Sequence, residues 1–264
     1  MARFKIRKIN IQDVDIHFDF TTDCNYWQGF WERNDGLGSG SDDPDAASPT
    51  LRQYHQALWS KELPCGSTFK LEFGRKSDYL KYNNMRLASD SITTGFRYKR
   101  NRKIIEEVAR KLDYRPWMED NIRRTYSIGG MMIFPKHRNS INGQRGMNPF
   151  ICDRWDLTLE CIRLYYEKNT DMDSNPLGWV LEADRSYFDL FGDFEGFCKF
   201  FFLDDCVSDD YSSVKMWIPC NPFQKKYPLP ETSQEYMMWM DASLQFVEKR
   251  NKRIMEYIMR RVDE

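Results

Sequence analysis

The sequence predicts an α+β fold in a single domain over residues 1–264: a small, mostly antiparallel sheet packed with several helices and a long C-terminal helix. Three observations predict it. Short segments of period-two or continuous apolar character recur in the first half, the pattern of strands. Capped segments with apolar residues three and four apart recur among and after them, the pattern of helices. The chain is 41% hydrophobic and 15% aromatic, enough for one sizeable and aromatic-rich core.

In chain order, Val14, Ile16, Phe18 and Phe20 alternate with Asp15, His17 and Asp19, so residues 1–20 read as a half-buried strand with His17 on its solvated side. Residues 34–49 are rich in Gly, Ser and Asp and read as a mobile loop. Ser48-Pro49 then opens a helix, Ser as N-cap and Pro at the first helical position. His55 falls on its packed face with Leu51, Tyr54 and Leu58. Thr68–Phe73 and Met85–Ile92 read as strands, Asn101–Leu112 as a helix and Tyr126–Phe134 as a buried strand ended by Pro135. Lys136–Cys152 reads as a polar loop, Asp153–Lys168 as a helix, Asn175-Pro176 as a helix start, and Tyr187–Val207 as an aromatic helix. A short strand at Val214–Ile218 and a proline-rich connector, Cys220–Pro230, follow. Thr232 and Glu235 form a capping box. Behind it Tyr236, Met240, Leu244, Val247, Ile254 and Ile258 line one face of the last helix.

No run approaches 18 apolar residues and the start carries no signal-like stretch, so a cytoplasmic protein without a membrane span is expected. Seven cysteines with no CxxC pair argue against a disulfide framework or a structural zinc site. Net charge is −1 but unevenly spread. Arg97–Arg154 holds 14 basic against 6 acidic residues, whereas Asp171–Asp210 holds 2 against 11. The first segment suits a phosphate-bearing partner or simply neutralises the second. Within it Arg97–Lys103 interleaves Tyr98 with five basic residues, a pattern that fits nucleic acid or nucleotide as well as a solvated helix start.

Residues Ser127–Tyr166 are the richest in chemistry. Gly129 and Gly130 interrupt a buried strand, leaving room for a ligand or for a close neighbour. The following loop carries His137, Arg138, Asn142, Gln144, Arg145 and Asn148; Arg145 beside Gly146 offers a fork of donors next to a bare amide, suited to a diphosphate or carboxylate. Neither GxxxxGK[ST] nor GxGxxG occurs. Asp153, Asp156 and Glu160 share one helical stripe. They suit a divalent metal such as Mg²⁺, or a Glu against a ribose. Equally, they suit an N-cap, a helix-dipole partner and an ion pair to Arg163.

The strings Ser127–Pro135 (SIGGMMIFP), Ser140–Gly146 (SINGQRG) and Asp153–Arg163 (DRWDLTLECIR) resemble an uncharacterised bacterial family defined as a domain of unknown function. Tyr54–Lys61, Ser89–Ile92 and Phe200–Ser213 extend the resemblance over nearly the whole chain. It implies no reaction and no catalytic residue.

Residue types then set three expectations. One is an ADP-ribosyltransferase-like effector, a toxin or phage-defence protein modifying nucleic acid or protein with NAD. Its candidates are Glu160, His55 and Arg145 as catalytic groups. Ser89, Ser91, Gly129, Gly130, Asn142, Asn148 and Arg154 would bind cofactor. Another is a Mg²⁺-dependent nuclease or phosphotransferase using the carboxylate stripe. The last is a non-enzymatic binding protein with an antitoxin or other protein partner. Convergence of His55, Arg145 and Glu160 on one pocket would favour the first.

Overall fold

The computed structural model describes residues 7–32, 36–37, 42–74 and 79–263. In chain order these form α1 (Pro44–Ala47), α2 (Pro49–Trp59), β1 (Glu72–Phe73), β2 (Leu80–Tyr82), β3 (Met85–Ser91), α3 (Arg102–Lys111), α4 (Tyr114–Thr125), β4 (Met131–Pro135), α5 (Ile141–Met147), α6 (Trp155–Tyr166), α7 (Gly178–Ala183), α8 (Arg185–Phe188), α9 (Phe194–Phe201) and α10 (Ser233–Asp263). The strands make one antiparallel sheet in sequence order, β1-β2-β3-β4. A continuous core runs from Val14 to Ile258. The fold is therefore the α+β arrangement expected, closed by the long last helix. Among the described residues no helix is long and apolar enough to cross a membrane.

Local chemistry explains the elements that match. The Ser48 hydroxyl accepts from Leu51 N at 3.0 Å and Pro49 opens α2. The Thr232 hydroxyl accepts from Glu235 N at 3.1 Å, the first half of the expected box; the Glu235 carboxylate accepts from Glu231 N at 2.7 Å, one residue before the N-cap, so the second half is displaced.

Several expected elements take another form. Residues 1–6 lie outside the described residues, and the rest of the predicted first strand is irregular. Val14, Ile16 and Phe20 are buried while Asp15 and His17 are exposed, so the alternation holds. The backbone, though, turns on itself: Asp15 Oδ1 accepts from His17 N at 2.8 Å and Asp19 Oδ1 from Thr21 N at 2.9 Å. Short Asp side chains compete with sheet pairing here. Within the segment read as a loop, Asp43 caps α1 and Pro44 opens it; positions 34, 35 and 38–41 lie outside the described residues. Of the strand read at Thr68–Phe73, Glu72–Phe73 forms β1 and Thr68 makes an isolated bridge to Glu62. Ile128–Gly130 is a 3₁₀ turn before β4, and α5 occupies the middle of the predicted polar loop. The aromatic helix is divided into α8 and α9 at Gly192-Asp193, where Asp193 Oδ1 caps α9 through Gly196 N at 2.7 Å. Val214–Ile218 forms only an isolated bridge from Val214 to Val207.

The sheet's inner edge shows how helices and strands lock together. β4 pairs on one side with β3; its other edge is covered by side chains. Arg250 of α10 is fully buried and donates to Gly129 O and Met131 O at 2.9 Å each and, through Nε, to Phe201 O at 2.9 Å. Tyr187 donates to Ile133 O at 2.6 Å. Gly129 and Gly130 allow this approach: a Cβ at Gly129 would stand 2.5 Å from Val247 O, and one at Gly130 would stand 1.9 Å from Thr125 O. Both contacts are with backbone, which cannot swing aside. Gly130→Ala is therefore expected to cost about 1–3 kcal/mol or more by overpacking, read as a lower denaturant midpoint. An unchanged midpoint would show that α4 shifts freely.

Candidate functional site

A cavity of about 240 Å³ opens where α1, the end of β3, the segment after it, the end of α4, the turn before α6 and α10 meet. Asp43 and Asp45 come from α1 and its cap, Asp90 and Ser91 from β3, and Asp153 from the turn preceding α6. Thr93, Tyr98, Tyr126 and Ser243 complete its walls.

Arg145 lies beneath this group and is fully buried. It donates to Asp90 Oδ2 at 2.9 Å, Ser91 O at 3.0 Å, Asp153 O at 3.0 Å and Thr158 Oγ1 at 3.3 Å, and stands 3.2 Å from Asp153 Oδ1. One guanidinium thus ties α5, β3 and the start of α6 together, which explains why a glycine-containing segment is helical at all. On the far wall Arg97 donates to Tyr26 OH at 2.9 Å, beside Tyr126, Tyr114 and Tyr236. Asp45 Oδ2 accepts from Ser91 N at 2.9 Å.

Carboxylates outnumber guanidiniums here; Asp45, Asp90 and Asp153 are half-buried and Asp43 is exposed. Burial pushes Asp90 up to about 7 despite the Arg145 guanidinium at its side. Asp45 is raised well above the carboxylate range by burial and then by Asp43 and Asp90. Asp43 and Asp153 rise for the same first reason. Cys152 and Asp153 hold positive φ of 49° and 64°, turning the Asp153 carboxylate toward Arg145. Asp45 Oδ1, Thr93 Oγ1 and Ser243 Oγ are buried with no hydrogen-bond partner among the described residues.

The residues singled out from the sequence divide. Ser91 lines the cavity, and Arg145 lies behind its wall, bonded to Asp90, Ser91 and Asp153. His55 does not: it is fully buried on α2, where Trp59 Nε1 donates to its Nδ1 at 2.8 Å and burial pushes it down to about 3, so the ring is neutral. Glu160 holds Arg163 with both oxygens at 2.8 Å in a half-buried pair along α6, the ion-pair alternative. His55, Arg145 and Glu160 therefore keep three separate sets of partners. Arg154 is buried in a two-pronged pair with Asp156 at 3.0 and 2.5 Å and bonds Pro228 O and Ile218 O, pinning the proline-rich connector. This pair also separates Asp156 from Asp153 and Glu160, so the proposed metal stripe is split among three arginines. Among the described residues no group of three His, Cys, Asp or Glu could hold a metal ion. Asn142 Nδ2 donates to Ser89 O at 3.4 Å, and Asn148 braces Pro176 O and Phe150 N. The space beside Gly129 and Gly130 is filled by α10 and Thr125. Of the basic run, Arg97 and Tyr98 line the cavity, whereas Lys99, Arg100 and Lys103 reach the surface.

Asp43, Asp45, Asp90 and Ser243 were not singled out by residue pattern. Asp43-Pro44-Asp45 does carry a helix-start signal, whereas Asp90 sits between Ser89 and Ser91 in a strand of mixed polarity and carries no such mark.

Residues 14–254, which include every wall of this cavity, match the model of a family described as a family of unknown function (DUF6994). No curated protein matches the chain. No solved structure matches it either.

Proposed function

We propose, for a chain that belongs to the DUF6994 family of unknown function, that this cavity is its working site and that it performs acid–base chemistry on a small polar ligand. Asp90 is the group that exchanges the proton. The observation carrying this reading is a carboxyl poised near neutral pH, held in place by a buried guanidinium and facing a cavity lined by further carboxylates. An acid–base catalyst works best when its pKa lies near the working pH. Carboxylates in unlike environments divide the roles of proton donor and electrostatic stabiliser. Asp153, ion-paired to Arg145, fits the stabilising role, and Ser91 and Tyr126 can orient a hydroxylated substrate.

An NAD-dependent, ADP-ribosyltransferase-like transfer is one reaction of this kind. Ser91 supports it by its place in the cavity wall and Arg145 by holding Asp90 and Asp153 from behind; Asp90 rather than Glu160 then serves as its carboxylate. The test is a screen of polar metabolites, NAD among them, for turnover and thermal stabilisation. A compound acting on the wild type is expected to lose about 10²–10⁴-fold in rate with Asp90→Asn, the usual worth of a general acid–base. Glu160→Gln should leave it unchanged. Full activity in Asp90→Asn would end this reading.

A further inference from the structure

We propose that the ligand recognised in this cavity carries a small organic cation, an alkylammonium or guanidinium group, seated against Asp45 and Asp90. This rests on the cavity being the working site. Four observations converge on it.

The first is charge. Asp43, Asp45, Asp90 and Asp153 line the cavity from α1 and its cap, β3 and the turn before α6, with Arg97 on the far wall and Arg145 behind Asp90 and Asp153. Arg145 already spends its donors on Asp90, Ser91, Asp153 and Thr158. Arg97 donates to Tyr26, and its charge also acts on Asp43, which leaves Asp45 and Asp90 as the carboxyls a ligand would meet. The carboxylate excess is thus open to a third cation.

The second is unmet hydrogen bonding. Ser243 is 2% and Thr93 9% exposed, both line the cavity, and neither hydroxyl has a partner among the described residues. Asp45 Oδ1 is buried in the same state. Buried polar atoms are normally satisfied, so groups left open around a cavity mark what it receives. A carboxylate oxygen and two hydroxyl oxygens can all accept, and ammonium and guanidinium groups supply several N–H donors at once.

The third is size. A cavity of about 240 Å³ is several times the roughly 30 Å³ share of one water, so it suits a small organic group better than a bare metal ion. The fourth is the aromatic wall of Tyr98 and Tyr126, whose ring faces attract cations.

Binding is expected to release protons. The raised carboxyls hold protons in the empty cavity, and a cation beside them favours the ionised form. The tyrosine hydroxyls of Tyr98 and Tyr126 stay neutral, being raised by burial, and the two guanidiniums stay charged.

The test is calorimetric titration of the intact chain with putrescine, agmatine, neutral 1,4-butanediol and Mg²⁺ in buffers of different ionisation heat. One amine is expected to bind at least about tenfold more tightly than the diol. Its affinity should rise from about pH 6 to about pH 8, with a heat that varies with the buffer. Asp45→Asn should weaken it by about tenfold or more. Ser243→Ala gives a second, gentler variant should Asp45→Asn fail to fold, and it too should weaken the amine. Equal or tighter binding of the diol or of Mg²⁺ overturns the cation assignment, as does an amine whose affinity neither variant changes. So does binding by none of the four. The working-site reading falls separately, when a substrate found by screening is turned over equally by Asp90→Asn.

Discussion

Replacing Arg145 with Met is expected to lower stability by about 3–5 kcal/mol at neutral pH, the cost of leaving buried carboxylates without their cation. Asp90 and Asp153 would lose their ion pair, and α5 would lose its tie to β3 and to the start of α6. In a chain of this size each kcal/mol moves the melting temperature by about 2–4 °C, so the fall is on the order of 10 °C. The loss should depend on pH, and the sign is fixed by the direction of the carboxyl shifts. Asp90 is raised from 3.8 to about 7 in the folded state. The folded chain therefore holds a proton that the unfolded chain gives up. The stability linked to it is fully present below about pH 4 and is lost as pH rises through about 7. Removing Arg145 raises these carboxyls further, so the deficit of the variant should shrink toward about pH 5 and grow toward about pH 8. Thermal unfolding of both proteins across that range measures it. An equal deficit at every pH would mean that Arg145 acts through packing alone.

Arg250→Met should cost a comparable amount for a different reason. Among the described residues no carboxylate bonds Arg250; its donors go to the backbone oxygens of Phe201, Gly129 and Met131 and to Met132 Sδ. Burial pushes its guanidinium down to about 9, which still leaves it charged at neutral pH. Met matches much of the side chain's bulk but donates nothing. Each buried oxygen stranded in this way costs about 1–3 kcal/mol, so three cost several kcal/mol together, offset in part by sparing a buried charge its desolvation. Arg250→Lys restores a charge with a single donor head and should recover only part of the loss. Denaturant midpoints of the three proteins decide it; a methionine variant as stable as the wild type would show that these oxygens find other donors.

These two arginines also mark what could and could not be read from the chain. Caps are local, so Ser48-Pro49 and Thr232–Glu235 announce their helices within four residues. The last helix repeats its apolar spacing over many turns and is unmistakable. Arg145 stands out because its guanidinium sits beside glycine in a polar segment, and Glu160 because its ion pair to Arg163 is three residues away. The cavity is of another kind. Asp45, Asp90 and Asp153 are far apart in sequence and meet only once β3, α5 and α6 have packed, so no spacing rule brings them together. Likewise, α5 contains two glycines and forms because its Arg145 side chain is anchored in the tertiary structure, a gain that helix propensity does not register. The reverse error occurs at residues 7–20, where the alternation of burial is real but Asp15 and Asp19 satisfy the backbone locally.

The guarding of β4 has a consequence for the order in which the molecule can mature. The strand that needs Arg250 is complete more than a hundred residues before that arginine leaves the ribosome. At the usual pace of about 5–20 residues per second, the nascent sheet spends several seconds with an apolar, unpaired edge. Such edges recruit other strands, so this interval is when the chain is most prone to associate with its own copies or to need a chaperone. The final helix is thus also the step that ends this vulnerability.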